Sequence, residues 1–270
     1  MKKGIYILPT IFTLGNIACG MMAMFASVEG NFSRAAWLII AAIVLDILDG
    51  RVARLTNTQS LFGVQMDSFA DIVSFGVAPS FMMYKMALAK LNNPGVAIAI
   101  FYVVAVTIRL AKYNVKAQET AGEEPETFFE GLPSPAGAGI LSSFVLSYEL
   151  FQTGQLVNFK TIPLIEKQMP FFLKTIPITM VLTSLLMLSS IHYAGFKRLR
   201  INRAQSVQVL VLVITALFLI LSYPQNTIFV IFLFYLISGL VGYAIRFRKI
   251  SMEKRLRSER LTEDKNNESK

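Results

Sequence analysis

The sequence predicts an all-α, polytopic membrane protein, a bundle of about eight transmembrane helices. Charged residues make up only 16% of the 270 residues and hydrophobic residues 54%, whereas a soluble domain is usually about 25% charged. The chain also contains eight apolar stretches, each close to the length of about 20 residues that a membrane-spanning helix needs. Turn-forming residues separate several of these stretches, as at 29–31, 92–95 and 223–226. These observations favour lipid over water as the surroundings of most side chains.

The predicted spans follow one another through nearly the whole chain. The first begins after the basic residues Lys2 and Lys3, and it is too long for a cleavable signal peptide. Length leaves room for one membrane domain and for no sizeable soluble domain. In order, the predicted spans are residues 5–28, 34–55, 67–90, 95–113, 134–153, 170–191, 206–222 and 226–245.

The distribution of Lys and Arg predicts the orientation of the bundle. If the N-terminus is cytoplasmic, the cytoplasmic segments hold 20 of the 26 basic residues. Basic residues accumulate on the cytoplasmic side of membrane proteins, so we expect both termini inside the cell and the protein to be integral to the plasma membrane. The net charge of +9 then reflects topology and not a nucleic-acid partner. The predicted outer segments hold only Arg34, Lys85, Lys90, Lys160, Lys167 and Lys174.

Two polar stretches lie outside the predicted spans. Residues 117–130 contain five glutamates and are predicted to form an exposed cytoplasmic loop. Residues 246–270 are rich in basic residues and are predicted to form a solvated cytoplasmic tail. A helix lying on anionic lipid head groups is the alternative for the tail.

Four of the five aspartates lie close together in the sequence: Asp46, Asp49, Asp67 and Asp71. Residues three or four apart share a face of a helix. Asp46 and Asp49 lie at the end of the second predicted span, and Asp67 and Asp71 at the start of the third. A short turn near 56–62, ended by Gly63, is predicted between the two spans. If it makes them antiparallel neighbours, the two pairs meet at one depth.

Placing four carboxylates together in a membrane costs free energy. One aspartate at the centre of a bilayer costs about 2.5–3.5 kcal/mol on the translocon scale, and neighbouring carboxylates repel one another. One or two divalent cations would neutralise them, and oxygen ligands suit Mg²⁺, Mn²⁺ or Ca²⁺. A single histidine and a single cysteine offer no zinc cluster. The bland alternative is that the acids pair with Arg51 and Arg54 at the membrane surface, and spacing alone leaves an enzyme and a cation transporter both open.

The acids and the small residues among them form a known pattern. The pattern is Asp46-x2-Asp49-Gly50-x2-Ala53-Arg54-x8-Gly63-x3-Asp67-x3-Asp71, and it resembles the complete signature of CDP-alcohol phosphotransferases. Further stretches resemble the branch of that family whose acceptor is serine. These stretches are Leu8 to Asn16, Asp71 to Pro79, Arg109 to Asn114, Phe129 to Ala136 and, more weakly, Tyr193 to Lys197.

The resemblance implies a six-helix core and a reaction in which a hydroxyl displaces CMP from a CDP-linked lipid. For the serine branch the substrates would be CDP-diacylglycerol and L-serine. It also suggests a homodimer with two divalent ions. The residues would divide into a catalytic core at 1–200, two additional transmembrane helices at 201–245 and the tail at 246–270.

Roles carry over by position within the matched motifs. Asp46, Asp49 and Asp67 would be metal ligands, and Asp71 would complete a second metal site or act as the general base. Residues that would leave room for the nucleotide or bind phosphate are Gly50, Ala53, Arg54 and Gly63. Candidates for binding the acceptor are Arg109, Lys112, Asn114 and Ser134.

Three of the acceptor candidates have alternatives. Arg109 lies near the inner end of a span, where it would bind the serine carboxylate or a phosphate, or else extend to the interface. Ser134-Pro135 predicts a helix start, which either attracts an anion or is only a helix start. Lys112 stands where the family pattern leads us to expect arginine. If that position needs the two parallel hydrogen bonds of a guanidinium, lysine is not equivalent.

Three rival functions remain from the sequence. Within the family, the acceptor could be glycerol 3-phosphate or inositol phosphate, which should require a basic cluster near the metals. A cation-coupled transporter would use the acids as its ion site, but it predicts broken helices at the bilayer midplane. The third rival is a metal-stabilised scaffold without turnover.

Overall fold

The computed structural model describes residues 7–56, 60–119, 128–153, 169–194, 218–219, 222–243, 248 and 252. Within these ranges the chain is helical, apart from one short two-stranded ribbon. A π-helical segment, Ile72–Val77, joins α3 to α4, and a 3₁₀ turn, Leu88–Leu91, follows α4. The α-helices are α1 (Ile7–Val28), α2 (Phe32–Leu55), α3 (Leu61–Asp71), α4 (Ala78–Met86), α5 (Asn93–Glu119), α6 (Ser134–Thr153), α7 (Met169–Leu188) and α8 (Pro224–Tyr243).

Helices α1 and α2 form a closely packed antiparallel hairpin. Alanines at their contact, such as Ala23 and Ala35, are completely buried, and such small side chains let two helix backbones approach closely. Gly30 ends α1 with φ +77°, a left-handed conformation that glycine adopts without steric cost. The N–H of Asn31 then donates to the carbonyl oxygen of Ala26 over 2.9 Å. This hairpin brings the acidic end of α2 beside the first turns of α1.

The third pass begins earlier than the sequence predicted. Its predicted start was residue 67, with Gly63 ending the preceding turn, but α3 already begins at Leu61. Ser60 is the N-cap, and its hydroxyl accepts a hydrogen bond from the N–H of Gly63 over 3.0 Å. A serine cap satisfies a helix N–H that hydropathy does not register. Both predictions were therefore wrong: Gly63 lies in the first turn of the helix, and Asp67 lies well inside it.

The π-helical segment follows directly after Asp71 and packs against α1. The hydroxyl of Ser74 donates to the backbone oxygen of Asn16 over 2.8 Å. A Cβ on Gly20 would lie 2.9 Å from the Cα of Ser74, so only glycine fits there. Single π-turns of this kind often accompany functional sites. Here the segment joins the third pass to the first helix at the level of the acids.

The ribbon was not predicted. Strands β1 (Phe128–Glu130) and β2 (His192–Ala194) pair antiparallel. The predicted loop at 117–130 was thus wrong at both ends, because α5 continues to Glu119 and β1 occupies 128–130; residues 120–127 lie outside the described ranges.

Gly131 connects the ribbon to α6. It has φ +74°, and a Cβ there would collide with the carbonyl oxygen of Met187 and lie 3.1 Å from that of Ser189. Its N–H donates to the carbonyl oxygen of Ile191 over 2.8 Å. The start of α6 is therefore held against the end of α7.

Among the described residues, three helices are long and apolar enough to cross a membrane: α1 from Thr10 onward, α5 and α8. Helix α2 has 24 residues, but its second half carries the acids and arginines. Helix α6 has the bounds that the sequence predicted, 134–153. The predicted span 206–222 lies outside the described ranges except for residues 218, 219 and 222. The predicted helical class is thus confirmed, with three described helices able to span a membrane, and the count of eight spans and the six-helix core stay predictions.

Candidate functional site

Three of the four clustered aspartates converge in space. Asp46 on α2 and Asp67 and Asp71 on α3 each offer a carboxylate oxygen, and these oxygens lie within 4.8 Å of one another. Asp71 is buried, and the other two are half-buried. The convergence follows from the spacing, because residues three or four apart place two pairs on the facing sides of neighbouring helices.

Asp49 lies beside this trio and has a partner of its own. The hydroxyl of Thr13 on α1 donates a hydrogen bond to one of its carboxylate oxygens. Asp49 is close enough to interact electrostatically with Asp46 and Asp67. The first helix thus orients the fourth acid, a contact that the acidic motif alone does not reveal.

The trio has the geometry of a divalent-cation site. Oxygen ligands lie 2.0–2.6 Å from Mg²⁺ or Ca²⁺, so two ligands on opposite sides of one ion are separated by about 4–5 Å. The three carboxylate oxygens lie within 4.8 Å of one another, which is close enough for one ion to contact all three. One carboxylate oxygen of Asp71 is also buried without a hydrogen-bond partner among the described residues, and such an atom needs a proton or a cation. The residues therefore fit a cation held by Asp46, Asp67 and Asp71.

Arg109 on α5 links the acids to the start of α6. It is 9% exposed, and its Nη1 donates to the hydroxyl of Ser134 over 2.7 Å. It also interacts electrostatically with Asp71 and Asp46, and its Nε lacks a partner among the described residues. The acceptor candidates Arg109 and Ser134 thus contact each other, and the Nε of the guanidinium has no partner among the described residues.

Asn16 on α1 is a site residue to which the sequence analysis assigned no role. It is 1% exposed and lies beside Asp71, but their geometry falls short of a hydrogen bond, and neither of its amide atoms has a partner among the described residues. A buried amide normally finds a partner. A polar side chain within an apolar helix was a signal that could have identified it.

The contacts that the described residues show for the other acceptor candidates are with groups other than the acids. The ammonium of Lys112 lies 3.4 Å from a carboxylate oxygen of Glu130 on β1, and Lys116 is equally close to the other oxygen. Partial burial raises the pKa of Glu130, but Lys116 and Lys112 outweigh that effect and hold its pKa below the usual value. Asn114 donates to the hydroxyl of Ser68 over 2.7 Å. Lys112 thus holds the ribbon, and Asn114 ties α5 to α3.

The nucleotide candidates lie along the helix ends that carry the acids. Gly50 and Ala53 are half-buried on α2, and Gly63 is exposed in the first turn of α3. The side chain of Arg54 lies outside the part of the chain that the structure describes. No contact in the described residues tests their predicted role.

Comparison with known proteins gives consistent matches. The family described as CDP-alcohol phosphatidyltransferase matches residues 6–165. The CDP-diacylglycerol–serine O-phosphatidyltransferase of Helicobacter pylori is 36% identical over 250 residues, 93% of this chain and 96% of that protein. The enzyme of the same name from Mycobacterium tuberculosis is 42% identical over 135 residues, 49% of this chain and 46% of that protein. An archaetidylserine synthase of Methanothermobacter thermautotrophicus is 34% identical over 142 residues, 52% of this chain and 58% of that protein.

Proposed function

Because the chain belongs to the CDP-alcohol phosphatidyltransferase family, we propose that it transfers a phosphatidyl group from CDP-diacylglycerol to the hydroxyl of L-serine. The products would be phosphatidylserine and CMP. The observation that carries the proposal is the convergence of three carboxylates beside a buried arginine whose donors are only partly used. The full-length similarity to a protein named for this reaction supports serine as the acceptor.

The acids hold the divalent cation in this proposal. Asp46, Asp67 and Asp71 supply the converging oxygens, and Asp49, oriented by Thr13, supplies the remaining ligand of a site for Mg²⁺ or Mn²⁺, with two ions expected. A divalent metal held by these carboxylates would supply positive charge to neutralise the diphosphate and the charge that develops on the leaving CMP.

Asp71 also accepts the proton of the serine hydroxyl. The serine oxygen then forms a bond to the lipid-side phosphorus as the bond from that phosphorus to the CMP oxygen breaks. Asp71 suits this role because it is buried and has one unpartnered carboxylate oxygen. Direct displacement needs no covalent intermediate on the enzyme.

The remaining candidates bind the two substrates. Arg109, held by Ser134, binds the serine carboxylate. Lys112 and Asn114 support the acceptor site through Glu130 and Ser68. The residues that leave room for the nucleotide or contact its phosphates are Gly50, Ala53, Arg54 and Gly63.

The cellular arrangement is part of the same proposal. Both termini lie inside the cell, and the acids lie at the cytoplasmic face of the plasma membrane, as the distribution of basic residues indicates. Residues 1–200 form the catalytic core, residues 201–245 two further transmembrane helices and residues 246–270 the tail. The protein works as a homodimer in the lipid bilayer.

The test is CMP release by the purified full chain in lipid nanodiscs. CDP-diacylglycerol is supplied with Mn²⁺ or Mg²⁺ and with serine, glycerol 3-phosphate or inositol phosphate. We expect serine-dependent release that is lost in Asp71→Asn and retained in the matched control Asp264→Asn, which changes the fifth aspartate outside the motif.

Other outcomes favour the rivals. Release with glycerol 3-phosphate or inositol phosphate but not with serine would move the function to a phosphorylated acceptor. Uptake of Mn²⁺ into sealed vesicles without any CMP would indicate a transporter. Metal binding that only raises the thermal stability would indicate a scaffold.

A further inference from the structure

Two tyrosines from distant parts of the chain pack against each other near Arg109. Tyr193 comes from β2 and Tyr235 from α8, and their ring centroids are 5.6 Å apart at an interplanar angle of 32°. Tyr193 is completely buried, and its hydroxyl has no hydrogen-bond partner among the described residues. A buried hydroxyl without a partner is uncommon, and a ligand or an ordered water can supply the missing hydrogen bond.

Tyr235 connects this pair to the site. It interacts electrostatically with both Tyr193 and Arg109, and Arg109 in turn interacts with Asp71. Hydrogen bonds support this proximity: Arg109 donates to Ser134, and the N–H of Gly131, three residues before Ser134, donates to the carbonyl oxygen of Ile191, two residues before Tyr193. The tyrosine pair packs within the hydrophobic core, and Arg109 connects it to the acids.

The packing of α8 places Tyr235 there. Gly239 lies against the ring of Tyr193, and a Cβ on it would be 2.7 Å from the ring carbon that carries the hydroxyl. Gly139 on α6 lies against the ring of Phe232 in the same way, with its Cβ position 2.6 Å from a ring carbon. Two glycines thus let α8 approach the ribbon and α6 closely. Helix α8 lies beyond the residues that the family match covers, 6–165.

The chemistry of these groups suits the two poles of an amino acid. A guanidinium binds a carboxylate through charge-assisted hydrogen bonds. A phenol oxygen accepts a hydrogen bond from an ammonium group, and a tyrosine ring attracts a cation over its face. Glycerol 3-phosphate and inositol phosphate carry no ammonium group, so they offer the tyrosines no cation.

We propose that Tyr193 and Tyr235 bind the ammonium group of a zwitterionic amino-alcohol acceptor whose carboxylate Arg109 binds. This inference rests on the proposed function and extends it, because it makes α8 part of the acceptor site. The two tyrosines then determine specificity for an amino acid over acceptors that lack the amine.

The experiment compares Tyr193→Phe and Tyr235→Phe with the wild type and with Tyr243→Phe, an exposed tyrosine on the same helix. Each full-length protein in nanodiscs is assayed for CMP release against serine and against CDP-diacylglycerol. The compound 3-hydroxypropionate, which keeps the hydroxyl and carboxylate of serine but lacks the ammonium group, is added as a competitor. Loss of one hydrogen bond to a charged group raises a dissociation constant by about tenfold or more.

We expect the KM for serine to rise by about tenfold in Tyr193→Phe and Tyr235→Phe. The inhibition constant of 3-hydroxypropionate and the KM for CDP-diacylglycerol should remain within about twofold, a split that general damage to the fold would not produce. Tyr243→Phe should behave like the wild type. If Tyr193→Phe does not fold, Tyr235→Phe decides the question.

An unchanged KM for serine in Tyr235→Phe would overturn the inference, as would an equal weakening of serine and 3-hydroxypropionate. Both results leave the proposed function intact as long as the wild type uses serine. Failure of the wild type to use serine would instead overturn the proposed function.

Discussion

Replacing Arg109 by lysine keeps a positive charge in the interior and removes the planar fork. The guanidinium donates to Ser134 over 2.7 Å while its Nε remains unpaired in the described structure. An ammonium group is a single point of charge, and it cannot keep this geometry and also bind a carboxylate side-on. The variant should therefore lose acceptor binding more than it loses the charge balance beside Asp71.

The size of the effect follows from the bond that is lost. A hydrogen bond to a charged group contributes about 1.5–3 kcal/mol, and 1.36 kcal/mol corresponds to a factor of ten. We expect kcat/KM for serine to fall by about 10- to 100-fold, mainly because the KM for serine rises. The KM for CDP-diacylglycerol should be nearly unchanged.

The assay is CMP release at varied serine and then at varied CDP-diacylglycerol, with Arg51→Lys as the matched control. Arg51 is an exposed arginine near the acidic end of α2, so its conservative change should leave both constants as they are. A wild-type KM for serine in Arg109→Lys would refute the assignment. An equal rise in the KM for serine and the KM for CDP-diacylglycerol would mean that Arg109 acts on the acids and not on the acceptor.

Three further predictions follow from other contacts. Thr13→Val removes the donor that orients Asp49. It should raise the Mn²⁺ concentration needed for half-maximal CMP release by about 10- to 100-fold, the usual effect of changing a group that orients a metal ligand. Thr13→Ser keeps the hydroxyl and should require the same Mn²⁺ concentration as the wild type. Gly131→Ala should lower the thermal unfolding midpoint, because the left-handed backbone costs about 1–2 kcal/mol with a side chain and the new methyl meets backbone oxygens; an unchanged midpoint would contradict the packing. Glu130 has a lowered pKa in the folded state, so its ion pairs stabilise the fold above the ordinary glutamate pKa of 4.5 and are lost as the pH falls through the lower folded value. The difference in thermal unfolding midpoint between the wild type and Glu130→Gln should therefore vanish in acid and be constant from pH 6 to about 7. A difference that grows as the pH falls would contradict the lowered pKa of Glu130.

The spacing of the acids predicted their convergence because it is a local property of two neighbouring helices. Asp46 and the pair on α3 needed only helical periodicity and one short turn to meet. Helix α6 likewise begins where Ser134-Pro135 indicated. Local patterns of this kind survive in any tertiary context that keeps the helices adjacent.

Contacts between distant parts of the chain could not be predicted in this way. The bond from Thr13 to Asp49 spans 36 residues, and the pairing of β1 with β2 depends on two three-residue segments too short to show periodicity. The early start of α3 was missed because a cap is a property of one side chain, Ser60, and not of hydropathy. Asn16 went unassigned for a related reason, since burial beside Asp71 depends on how α1 packs.

The ribbon has a consequence for anyone who exchanges parts between relatives. A chimaera with its breakpoint near residue 165, where the family match ends, would take β1 and β2 from different proteins. Glu130 would then pair with a residue of the other parent in place of His192. Moving the breakpoint beyond residue 194 would keep the strand pair, but it would still divide Tyr193 from Gly239. A functional chimaera of this protein therefore needs the segment from β1 through α8 to come from one parent.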